Sequence, residues 1–142
     1  MYPWNEPGAA PLFTIDVVVH ENHMVVSPRG TANMVCFGGR CDCDFFHGEI
    51  LSGGVDTQIY PPDGSGALSA RYMLCGTDAE GRATRIFVEN NGQRDAEGLF
   101  VTHPRFLTDN PALLWLEDTP LVGRVLGSDA GVTILFYREG QV

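Results

Sequence analysis

Apolar residues recur at alternate positions in short runs along this chain, and turn residues interrupt them roughly every 8–12 positions. Leu12–His20 is rich in β-branched residues and gives way to Glu21-Asn22-His23, which reads as a turn. The run beginning at Met24 is stopped by Pro28-Arg29-Gly30. Asn33–Phe46 reads either as one strand with a bulge at Gly38-Gly39 or as two strands joined there. His47–Leu51 and Val55–Tyr60 follow on either side of Ser52-Gly53-Gly54, and the sequence PPDGSG after Tyr60 is the clearest turn of all. Leu68–Gly76, Ala83–Asn90, Gly98–His103 and Gly131–Glu139 supply four further strands. One segment breaks the pattern. In Thr108–Asp118, Asp109 or Asn110 offers an N-cap and Pro111 a first helical position, which predicts a short helical turn leading into a strand.

The prediction is an all-β chain forming one domain over residues 1–142, with 1–10 as a loose N-terminal arm. Gly38, Gly39, Gly48, Gly53, Gly54 and Gly76 fall in or beside predicted strands, where glycine permits sharp bends. Strong curvature favours a single small antiparallel β-barrel over a flat sandwich.

Strand parity sorts side chains by face. Phe46, Gly48 and Ile50 share one face, and Phe45, His47, Glu49 and Leu51 the other. Asp56, Gln58 and Tyr60 oppose Val55, Thr57 and Ile59. Ala70, Tyr72 and Leu74 oppose Ser69, Arg71 and Met73, and Ile86, Val88 and Asn90 oppose Arg85, Phe87 and Glu89. Polar and apolar residues mix on both faces. Such mixing fits a barrel with a polar-lined cavity and an exterior partly covered by other subunits, and it also fits an ordinary sandwich.

Charge narrows the classes. A formal net charge of −9 opposes a nucleic-acid or anionic-membrane surface, since neither phosphate-rich partner is met by a basic face. All nine cations are arginine, so Schiff-base chemistry, a P-loop and any catalytic lysine are excluded. No apolar run reaches the roughly 18 residues needed to span a bilayer, and the N-terminal residues lack the basic and apolar regions of a signal peptide. A cytoplasmic homo-oligomer is the expectation.

Cys36, Cys41, Cys43 and Cys75 read as structural thiols, because their spacing does not supply two ligand pairs for zinc. His20 and His23 stand three apart, a helical spacing in a region that reads as a turn, and carry no metal expectation. Neither a metal nor a cofactor is expected.

The chemistry therefore rests on acids, bases and aromatics. Asp56 with Arg71 is the leading pair: Asp56 or His47 moves a proton, Arg71 holds an oxyanion, and Glu49 assists. Tyr60, Tyr72, Glu89 and Phe46 are candidate pocket walls. Alternatively Asp56 and Arg71 form a buried ion pair that only ties two strands together. The reading is a cofactor-free isomerase, cyclase or lyase acting by acid–base chemistry on a small hydrophobic or aromatic carbonyl compound. A non-catalytic binding protein and a structural subunit of an oligomer are the alternatives.

The stretch Gly48–Gln58 with its Gly53-Gly54-Val55-Asp56, then Arg71-Tyr72, then Asn91 and Gln93, then Trp115-Leu116, resembles the DUF3237 (UPF0311) family, over about Pro11 to Tyr137. The chain departs from the family pattern at Thr57, where Trp is usual, and at the longer turn after Thr77. The resemblance implies a small barrel similar to those of allene oxide cyclase and dirigent proteins, which hold a hydrophobic small molecule and guide its cyclisation or coupling. Fold likeness alone does not transfer an activity.

Overall fold

The alternating runs form nine antiparallel strands in the computed structural model, which describes residues 2–128 and 131–140. They are β1 (Phe13–Ser27), β2 (Gly30–Asp42), β3 (Phe46–Ile50), β4 (Val55–Tyr60), β5 (Ala67–Asp78), β6 (Ala83–Arg94), β7 (Phe100–Thr108), β8 (Leu121–Ser128) and β9 (Gly131–Arg138). Following hydrogen-bonded neighbours from β1 through β9, β8, β7, β6 and β5 leads back through β3 and β4 to β2, which pairs with β1. The sheet is closed. Because β3 and β4 fill one stave between them, the nine strands make a barrel of eight staves. β3 lies against Arg40–Asp42 and Leu74–Asp78, and β4 against Thr31–Cys36 and Ala67–Arg71.

Two differences from the sequence pattern matter for the site. Residues 21–23 are not a turn: β1 runs on to Ser27, and the register slips between Val19 and Glu21, leaving His20 as a bulge. Second, Gly38-Gly39 is neither bulge nor turn but the place where β2 changes partner from β4 to β3. Gly39 has φ +147°, and a Cβ there would collide with the Asp16 carbonyl, so close approach of β1 demands glycine. β2 then carries Asn33–Phe46 only as far as Asp42.

The barrel is packed at one end. Phe136 lies 5.0 Å from Phe13 and 5.8 Å from Phe106 between ring centroids, and Phe46, Ile15, Leu74 and Val88 fill the space around them. The Thr108–Asp118 segment closes this end much as its sequence predicts. Asn110 caps a 3₁₀ turn (Pro111–Leu113) by accepting from the Ala112 N–H, and α1 (Trp115–Asp118) follows, burying Leu116. β7 and β8 are paired only at Val101–Thr102 with Gly123–Arg124, and α1 packs on β7 beyond that short ladder.

Beneath this cap, Asp78 at the end of β5 accepts from the backbone N–H groups of Glu80 and Arg82, from the Arg82 guanidinium and from the Asn110 amide. The Asn110 hydrogen bond, followed by the Arg82 and Glu80 contacts, holds the Asp78 carboxyl down to about 2. Within residues 1–10, expected as a loose arm, the Tyr2 hydroxyl donates to Asp95 at 2.9 Å and Trp4 lies 5.4 Å from the Tyr137 ring. Among the described residues, no helix is long and apolar enough to cross a membrane.

Candidate functional site

The opposite end of the barrel is hollow. Up to Val19 the odd residues of β1 face inward, as do the odd residues of β2 and the even residues of β4, β5 and β6. Toward this end the inward side chains become shorter or more polar, with Val17, Val35, Ala70 and Val132 where the packed end has phenylalanines. They enclose a cavity of about 370 Å³, within the range for a small-molecule site. Phe37 and Tyr72, 5.2 Å apart edge to face, help to floor it, and Phe100 flanks the mouth.

Polar groups converge on this apolar space. The Tyr60 hydroxyl donates to Gln58 Oε1 at 2.8 Å, and Gln58 Nε2 donates to Asp56 Oδ2 at 2.9 Å. Asp56 Oδ1, the Tyr72 hydroxyl and Asn90 Oδ1 are buried with no hydrogen-bond partner. Native interiors hold few such atoms, so three among the residues of one cavity are a signal. Burial pushes the Asp56 carboxyl up from its usual range, against the smaller opposing pull of the Gln58 amide and the Ser69 backbone N–H. Burial, with Cys41 and Asp56 nearby, also pushes the Tyr72 phenol up, so it stays protonated and able to donate.

The barrel separates the residues that the sequence reading had combined. Asp56 and Tyr72 line the cavity, and Tyr60 reaches Asp56 through Gln58. Arg71 does not join them. Directly opposed residues in an antiparallel pair share a face, and Asp56 stands opposite Ala70 while Arg71 stands opposite Val55. Arg71 is therefore outside, with its Nε 3.1 Å from Glu89, which also lies on the outer face. His47 and Glu49 are outside as well, since Phe46, Gly48 and Ile50 take the inward positions of β3. His47 contacts Asp42 at 3.1 Å, and Glu49 accepts from Arg40 at 2.8 Å. Phe46 is fully buried, but in the packed end, away from the cavity lining.

Gln58 and Asn90 were missed as site residues. The available signal was parity, since each falls on an inward face, Asn90 with Ile86 and Val88 and Gln58 with Asp56. Replacing Arg71 by glutamine is expected to change stability by no more than roughly 1 kcal/mol, because the exposed Arg71 side chain forms an ion pair screened by solvent on its own side. A urea melt checks this, and a large loss would mean that Arg71 supports the cavity from outside.

Two other features lie outside this cavity. A wider concavity of about 900 Å³ on the outer wall includes Thr57, Ile59, Ser69 and Asn91, and several of its polar groups pair with one another, as Ser69 does with Asn91 at 2.6 Å and Tyr2 with Asp95 at 2.9 Å. The thiols of Cys41 and Cys43 interact at the packed end. Donation from Cys41 and from the backbone N–H groups of Phe45 and Phe46 lowers the Cys43 thiol, while Cys41 is raised by that same interaction and by burial. Cys43 is thus expected to alkylate first among the four thiols when iodoacetamide is added at neutral pH and labelling is followed by peptide mass spectrometry. Faster labelling at Cys36 or Cys75 would contradict this.

Comparison with known proteins adds to this geometry. The sequence model of a family described as "Protein of unknown function (DUF3237)" matches residues 7–138. A UPF0311 protein of Clostridium acetobutylicum is 32% identical over 117 residues, 70% of this chain and 72% of its own. A crystal structure of a protein of unknown function from the same organism superposes with a TM-score of 0.77 at 27% identity, covering 90% of this chain and 93% of that one. A conserved protein of unknown function from Rhodopseudomonas palustris gives 0.75 at 25% identity, with 89% and 93% covered. A β-barrel-like protein from Acinetobacter baumannii, at 21% identity and a TM-score of 0.70 over 91% and 93%, is similar in fold.

Proposed function

This chain belongs to the DUF3237 family, and from that premise we propose that its barrel is a cofactor-free proton-transfer enzyme of the isomerase type, acting on a neutral, ring-sized carbonyl compound held in the hollow end. The supporting observation is the set of three partnerless buried polar atoms, Asp56 Oδ1, the Tyr72 hydroxyl and Asn90 Oδ1, among otherwise mostly apolar walls. An empty carboxylate in such a place costs stability unless something enters to meet it.

The charge of the lining selects the ligand. Among the described residues that line it, Asp56 is the one carboxylate, and no arginine or histidine is present. An anion would meet Asp56 with nothing to neutralise it, so a carboxylate- or phosphate-bearing molecule is excluded by repulsion and desolvation. A neutral ring with a carbonyl oxygen fits both the volume and the polarity.

In the reaction, the Asp56 carboxylate takes a proton from the carbon next to the carbonyl. The electron pair of that C–H bond moves toward the oxygen, which accepts a hydrogen bond from the Tyr72 hydroxyl as negative charge develops. Asp56 then returns the proton to a different carbon or to the oxygen, completing an isomerisation with no net redox change. Its raised carboxyl makes Asp56 a stronger base than an exposed aspartate. Gln58, braced by Tyr60, fixes the carboxylate through Oδ2 and leaves Oδ1 toward the ligand.

Solvent deuterium exchange tests this. A panel of neutral single-ring ketones, led by para-hydroxyacetophenone, is incubated with protein in D₂O and the protons next to the carbonyl are followed by NMR. Exchange above the buffer rate is expected, lost when Ala70→Phe fills the cavity and unaffected by para-hydroxybenzoate. Exchange at the buffer rate throughout, with ketone binding still visible by saturation transfer, would leave a carrier and sink the enzyme.

A further inference from the structure

The bulge at His20 has a second consequence, on the outer wall. Before it, Val17 and Val19 face the cavity; after it, Asn22 does. The extra residue reverses parity, so Glu21 and His23, which an unbroken strand would turn inward, point outward. His20 itself lies over Gly38, where a Cβ would come within 2.7 Å of its Nε2.

Outside, Glu21 stands directly opposite Cys36 on β2, and His23 is two residues along the same face. One ligand-type atom from each of Glu21, His23 and Cys36 lies within 4.8 Å of the others. His23 Nε2 and Glu21 Oε1 are 3.6 Å apart, too long for a good hydrogen bond. That separation is close to the edge of a tetrahedral site, roughly 3.4 Å for metal–ligand bonds of about 2.1 Å. The residues that the sequence reads as a turn with histidines at helical spacing are instead a strand, on which i and i+2 are neighbours on one face.

We propose that Glu21, His23 and Cys36 bind a divalent transition-metal ion of zinc's borderline softness, with a carboxylate oxygen, an imidazole nitrogen and a thiolate as its protein ligands. Binding displaces the Cys36 thiol proton to solvent, and water completes the tetrahedron. The donor set discriminates against magnesium and calcium, which prefer all-oxygen shells. This site is on the outer wall and independent of the proton-transfer reading.

The test is titration of the reduced full-length protein with Co²⁺, a spectroscopic probe for zinc sites. One equivalent is expected to produce a near-ultraviolet thiolate-to-cobalt band that excess Zn²⁺ removes and Mg²⁺ does not. The band is expected to vanish in Cys36→Ser, and affinity to fall at least roughly tenfold in His23→Ala and in Glu21→Gln. A double variant, Cys41→Ser with Cys43→Ser, is expected to keep it. These substitutions at Glu21 and His23 are on exposed side chains, so folding is preserved for the comparison. No band in the parent protein, a band surviving Cys36→Ser, or one that follows Cys41 and Cys43 would overturn the proposal.

Discussion

Asp56→Asn is expected to remove ketone deuterium exchange by roughly 10²–10⁴-fold and, at the same time, to raise the melting temperature by a few degrees at neutral pH. Both effects have one cause. In the folded chain the carboxyl is raised by burial, so the native state holds its proton at pH values where the unfolded chain has released it. Stability therefore falls as pH rises from the unfolded carboxyl's value of about 4 through the folded one, and Asp56 is a net cost above that window. An asparagine carries no such cost, and its amide still accepts from Gln58. Below about pH 4 both states of Asp56 are protonated, and the advantage of the variant is expected to disappear. Thermal melts of the two proteins across pH, read beside the NMR exchange rates, separate the possibilities. If Asp56→Asn exchanges as fast as the parent, Asp56 is not the base. If it is less stable at neutral pH, the carboxylate serves the fold.

The second large effect is expected at the packed end. Asn110→Ala removes donors to Asp78 at 2.9 Å and to Thr84 at 2.8 Å, together with the cap on the Ala112 N–H. Losing one of the two donors to Asp78 Oδ2, the donor to the buried Thr84 hydroxyl and a cap together costs about 2–4 kcal/mol, a fall in melting temperature on the order of 10 °C. The pH dependence has the opposite sign to that of Asp56. The Asp78 carboxyl is held at about 2, below its unfolded value, so its contribution is present above about pH 4 and is lost as pH falls toward 2. Since the Asn110 hydrogen bond is the largest cause of that depression, the acid limb of the variant is expected to move to higher pH. Melts of parent and variant from neutral to acid pH check both points, and an unshifted acid limb would mean that the backbone N–H groups of Glu80 and Arg82, with the Arg82 guanidinium, hold Asp78 without Asn110.

Much of the fold was legible because strands announce themselves locally. β-branched runs of period two, bounded by turns such as PPDGSG, need no tertiary information, and neither does the Asn110-Pro111 start of the helical segment. β8 was harder: Leu121–Ser128 contains two glycines and an arginine, and its bounds were not drawn from the pattern. The site was only half legible. Parity puts Asp56, Gln58 and Tyr60 on one face, as the barrel does, whereas charge and acid–base pairing joined His47, Glu49 and Arg71 to Asp56, and these three stand on the other side of the sheet.

By itself the sequence determined an all-β chain, most of its turns, the absence of lysine chemistry and the alternation within each strand, since these follow from residue types and from a backbone period of two. Tertiary structure decided which alternate set is inside. A single bulge at His20 reverses the faces of β1, and the opposition of Asp56 to Ala70 puts Arg71 on the outer wall. It also decided that one end is packed and the other hollow, because a cavity arises from side chains of several staves falling short of one another, a sum that no local segment contains.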